Sequence, residues 1–69
     1  MGGFYLTRPH ARKAGFVTGE WVAGPESRSN AAEEALALLN DPRDTIIGVY
    51  YWSDRFGQFD GKWTRRIAP

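Results

Sequence analysis

The stretch Thr45-Ile46-Ile47-Gly48-Val49-Tyr50-Tyr51-Trp52 decides the fold. It is rich in β-branched and aromatic residues and ends where Ser53 to Gly57 makes a turn. A strand with one face in water alternates apolar with polar residues, whereas this run is apolar on both faces and so belongs inside a sheet. Ile47, Val49 and Tyr51 share one face, and Ile46, Tyr50 and Trp52 share the other. Whichever face a helix covers, rings or aliphatics remain opposite it.

Upstream, Asn30 and Glu33 have the spacing of a capping box, and Glu33 and Glu34 suit a positive helix N-terminus. The spacing predicts a helix over Ala31 to Asn40, with Ala32, Ala35, Leu36 and Leu39 as its apolar stripe and Asp41-Pro42 as its stop. Earlier still, Phe4 to Arg8 reads as a strand halted by Pro9. A polar, basic loop from Pro9 to Gly15 leads into a second strand, in which Val17, Trp21 and Ala23 recur on one face at period two. Downstream, Phe56 to Phe59 reads as a short strand, Asp60-Gly61 as a tight turn, and Lys62 to Ile67 as the last strand. The expected order is β-β-α-β-β-β: an α+β fold with a small twisted antiparallel sheet of about five strands and one helix packed on one face.

Length confines this to a single domain, residues 1–69. A folded chain of this size hides roughly 60% of the surface its extended form exposes, so a second core is not available. Three Trp, three Tyr and four Phe supply bulk that smaller aliphatics would not. With no cysteine there is neither a disulfide framework nor a thiolate metal site, and a reducing compartment is expected. Starting from Met1 there is no basic-then-apolar leader and no apolar run long enough to span a membrane, which places the expected location in the cytoplasm.

A net charge of +1 weighs against nucleic-acid binding by electrostatics alone and against an acidic decoy of a duplex. The charges are unevenly spread. Arg8, Arg12, Lys13 and the only His fall in residues 1–13, and Lys62, Arg65 and Arg66 in residues 61–69, with no acid in either segment. All eight carboxylates lie between Glu20 and Asp60. If the first and last strands are neighbours, or if the loop from Pro9 to Gly15 folds toward Arg65 and Arg66, the two ends form one basic patch; otherwise these are solubilising charges on edge strands.

Residues able to do chemistry are few. His10 has no acid near it in sequence for a relay, and a metal site around it would have to draw on scattered carboxylates. Glu33 and Glu34 are adjacent on a helix and point apart, whereas an acid and base pair must converge. Gly57 to Trp63 differs from a phosphate loop: the glycines are one residue too close, Trp63 stands where Ser or Thr would hold Mg²⁺, and no helix follows. The expectation is a protein that is not an enzyme and uses no metal or cofactor. What exceeds the ordinary is the aromatic content of so small a sheet. Exposed Tyr, Trp and Arg anchor protein interfaces and also stack nucleobases. The competing structural reading is that the rings pack on one another or against a second copy, so monomer and homodimer are both compatible.

A cysteine-free chain of under eighty residues, with a hairpin, one capped helix from Ala31 to Asn40, and strands at Thr45 to Trp52 and Lys62 to Ile67, resembles small phage-encoded anti-CRISPR proteins. The resemblance implies a non-catalytic inhibitor in the host cell cytoplasm that occupies a surface of a bacterial CRISPR effector complex. Its partner-binding residues would be Tyr50, Trp52 and Trp63 as anchors, with Arg8, Arg12, Lys13, Arg55, Arg65 and Arg66 around them. Lacking the acidic surplus of a mimic, it would act by steric block. The alternative is a nucleic-acid-binding sheet in which Tyr5, Tyr50 or Trp52 stack bases while the same Arg and Lys residues track phosphates.

Overall fold

The structure is a computed structural model and describes residues 2–65. It contains β1 (Gly3–Pro9), β2 (Val17–Ala23), α1 (Arg28–Asn40), β3 (Gly48–Ser53) and β4 (Gln58–Thr64). The strands form one sheet in the order β2-β1-β3-β4, antiparallel at every junction. This is the expected α+β architecture, with β3 in the interior as its two apolar faces require.

The strand count differs from expectation. The sequence pattern predicts separate strands at Phe56 to Phe59 and Lys62 to Ile67, with a turn at Asp60-Gly61; the structure has one strand, β4, and four strands among the described residues. The register explains it: Tyr50 faces Lys62 whereas Trp52 faces Phe59, so β4 carries one extra residue between these pairs. Asp60-Gly61 is therefore a β-bulge, which a glycine inside a strand accommodates as readily as a turn. Ile67 lies outside the described residues. β3 also starts later than expected, at Gly48. Ile47 still donates its N–H to the Thr7 carbonyl (2.8 Å) and accepts from the Arg65 N–H (2.8 Å). Before the strand begins alternation no longer holds, and Ile46 turns into the core beside Val49 and Tyr51.

The helix begins a turn earlier than the Asn30/Glu33 spacing suggested. Ser27 is the N-cap, in extended conformation, and its hydroxyl accepts the Asn30 N–H at 3.4 Å. Glu33 and Glu34 consequently sit beyond the first turn, which holds no acid. The buried stripe is Ala31, Ala35 and Leu39, with Leu38 packed against it, while Leu36 is half exposed. The expected stripe has Ala35 and Leu39 right, but Ala32 is only partly buried where its neighbour Ala31 is fully so, and Leu36 lies on the wrong flank, because Leu36 and Leu38–Leu39 are equally apolar and only the tertiary contact selects between them.

Ala31 and Ala35 have no exposed surface and bring α1 close to β3 and β4. Phe4, Leu6, Ile46, Val49 and Tyr51 complete the core. Phe4 meets Tyr51 edge to face, with centroids 5.7 Å apart. The Tyr51 hydroxyl donates to the Pro25 carbonyl at 2.8 Å, pinning the β2–α1 connection. Burial raises the Tyr51 phenol above its ordinary pKa.

Truncating Leu39 to Ala is expected to cost about 2–5 kcal/mol, as for other buried leucines, whereas Leu36→Ala should stay within about 0.5 kcal/mol. Urea denaturation of the two variants measures the difference directly; equal losses would place the helix in the wrong rotation.

Candidate functional site

Alternation along the strands sends Tyr5 (β1), Trp21 (β2), and Tyr50 and Trp52 (β3) to the face opposite α1. The bulge adds Phe59 and Lys62 of β4 to the same face, since each pairs across from a residue already on it. Three residues apart, these two would otherwise point to opposite sides.

The rings contact one another in a closed circuit. Tyr5 meets Trp21 at 5.0 Å and Tyr50 at 6.4 Å; Phe59 meets Trp21 at 5.8 Å and Tyr50 at 6.3 Å. Trp52 abuts Phe59 edge-on at 5.2 Å. Trp21 and Phe59 come from the two outermost strands yet stack within 15° of parallel. Two features allow this. Gly3 lies between Ala23 and Trp52 in the cross-strand row and has no side chain to hold the Trp21 indole away. Tyr5 lies over Gly19, where a Cβ would collide with the phenol. The result is an apolar cleft of about 420 Å³ lined by Tyr5, Thr7, Trp21, Tyr50 and Phe59. Although the rings pack on one another, Trp21 remains 58% and Phe59 51% exposed.

The residues expected from sequence to bind a partner divide among several places. Tyr5, Tyr50 and Trp52 share the open face. Trp63 does not: it pairs with Val49, packs against the core, and carries the Arg28 guanidinium over its ring at 4.8 Å. Arg8 is engaged on both sides, with Nε and Nη2 on the two Asp44 carboxylate oxygens (2.8 and 3.0 Å) and Nη1 on Glu20. Arg12 and Lys13 lie in the β1–β2 loop, Lys13 5.5 Å from the Phe16 ring. Arg55 sits at the other end of the sheet, in the β3–β4 turn, over Phe56 at 5.4 Å. Arg65 follows β4 at the same end as Arg8, and Arg66 lies outside the described residues. The basic ends do come to one end of the sheet, but there they flank Asp44 and Glu20 and do not form an uninterrupted cationic patch. Lys62, with its ammonium 5.9 Å from the Tyr50 ring, is the one charged residue on the open face among the described residues.

Trp21 and Phe59, the most exposed rings of the face, are not among the partner-binding residues expected from sequence. Trp21 was visible at period two with Val17 and Ala23, yet nothing in β2 alone says that this apolar side faces away from the helix. Phe59 reads in sequence as the residue before a turn at Asp60-Gly61, and only its pairing with Trp52 puts it on the face. His10 serves its loop, accepting the Arg12 N–H on Nδ1 at 3.1 Å. No three His, Asp or Glu side chains converge among the described residues. The face offers ring surfaces, tyrosine hydroxyls and the indole N–H groups of Trp21 and Trp52, all able to make binding contacts. Compared with family models, curated proteins and solved structures, the chain matches none.

The Arg8 guanidinium holds the Asp44 carboxyl below the usual carboxylate range, while Asp44 and then Glu20 raise Arg8. Because the folded Asp44 titrates below its unfolded value of about 4, the pair stabilises the fold fully above that value and is lost as pH falls through the lower, folded one. Asp44→Asn is expected to flatten the acid limb of the stability curve below about pH 4 relative to the parent, as measured by thermal melts across pH. An unchanged limb would show that this pair does not couple to folding.

Proposed function

We propose that the chain is a non-catalytic binding protein that docks a protein partner on the open face of its sheet. It works as an inhibitor, by occupying a surface the partner needs. The observation that carries this reading is the exposed Trp21–Phe59 stack beside the aromatic cleft. Contiguous apolar surface of this kind marks interaction sites, and Trp and Tyr are the side chains in which interface energy concentrates. The resemblance to small phage-encoded anti-CRISPR proteins supplies a candidate target, a bacterial CRISPR effector complex in the host cytoplasm.

Binding of nucleic acid by the same face is the competing reading, and two features weigh against it. Phosphates need cations beside the rings, yet Lys62 alone is charged there among the described residues and Arg8 is committed to two carboxylates. The rings also meet largely edge to face, so each covers part of the surface on which a base would stack.

Adding the protein to purified CRISPR effectors and following target cleavage tests the target. Inhibition is expected, and Trp21→Ala and Phe59→Ala should each weaken it by about tenfold or more while far-UV circular dichroism stays unchanged. Anisotropy of labelled DNA and RNA should show no binding at moderate salt. Micromolar, salt-sensitive binding there would replace this reading with the nucleic-acid one.

A further inference from the structure

The two edges of the sheet are built differently. β4 carries a bulge with Asp60 and Gly61, and then Lys62, devices that disfavour addition of another strand. β2 has none of them: its seven residues pair with β1 in unbroken register, with no bulge, proline or lysine, and Glu20 is its only charge. No described element pairs with its outer edge. The N–H and C=O groups directed outward there are open to a further strand.

The position of the helix adds a second feature. Because α1 packs on β3 and β4 and not on β2, a groove of about 430 Å³ runs beside the open edge. Phe4, Val22, Ala37 and Leu38 give it apolar walls, and its charged residues, Glu34 and Asp41, are both acidic. Asp41 is answered by Arg43, whereas Glu34 has no ionic partner among the described residues.

We infer that β2 takes up an extended peptide segment of a partner protein as a fifth strand. Alternate apolar side chains of that segment enter the groove beside α1, and a basic residue meets Glu34. Main-chain hydrogen bonds supply affinity in such strand addition, and pockets for alternate side chains supply specificity. The charge of the groove selects a basic occupant. A second copy pairing through its own β2 would not supply one, since β2 holds no basic residue and Glu20 is its only charge. The inference rests on the reading that the partner is a protein, but it concerns the edge of the sheet and not its open face.

The probe is a labelled seven-residue peptide of alternating valine and threonine with a lysine at each end. Binding should protect β2 amides from hydrogen exchange in the NMR spectrum. N-methylation of alternate peptide nitrogens, made in both phases, should cost about tenfold or more in the phase that removes the pairing donors, and Glu34→Lys about threefold or more. Phe59→Ala is the control: it should leave peptide binding intact while weakening docking on the open face, so the edge and the face are judged separately. Absence of binding, equal binding of both N-methylated peptides, or β2 amides already protected in a self-associated form would each overturn the inference.

Discussion

Two alanines on one helix determine how the rest of the molecule is arranged. Ala31 and Ala35 carry so little side chain that α1 settles closely on β3 and β4, and both are fully buried. A helix of 13 residues placed there covers one face of a four-stranded sheet, and mainly half of it. The strand aromatics that do not fit beneath it go, by alternation, to the opposite face. The groove beside β2 has the same origin, since it is the part of the covered face that the helix does not reach.

On the uncovered face the rings reduce their contact with water by leaning on one another. Gly3, Gly19 and the bulge in β4 are what make this possible, each by removing a side chain from the path of a ring or by changing the phase of one. Aromatic pairs of this geometry are worth about 0.5–1.5 kcal/mol each beyond area burial, so the cluster contributes to the fold as well as to any interface. It does not close the face: the Trp21–Phe59 stack stays more than half exposed. Charge is handled differently. Arg8, Glu20 and Asp44 neutralise one another at one end of the sheet on its helix side, while the open face carries Lys62 as its one charge among the described residues.

The fold class was legible in the sequence because Thr45 to Trp52 is apolar on both faces, which forces an interior strand, and because the alanine and leucine spacing of the helix is clear. The bulge was not legible: Asp60-Gly61 has the composition of a turn, and only pairing with β3 shows the strand continuing through it. The same limit applied to the surface. Alternation puts Tyr50 and Trp52 together, as they are in the structure, but Trp63, expected as an anchor beside them, pairs with Val49 because of the phase shift that the bulge creates. Arg8 reads as a free cation in a segment without acids; its partners are 12 and 36 residues away. Separations of that kind leave no trace in local pattern.

In the free protein the aromatic face stays open to water. Acrylamide quenching of a variant that keeps Trp21 alone, with Trp52 and Trp63 changed to Phe, tests it most directly. Emission near that of a solvated indole and efficient quenching are expected, both unchanged as protein concentration rises. Blue-shifted emission that becomes progressively shielded with concentration would contradict it, because the face would then be buried against another copy of the chain.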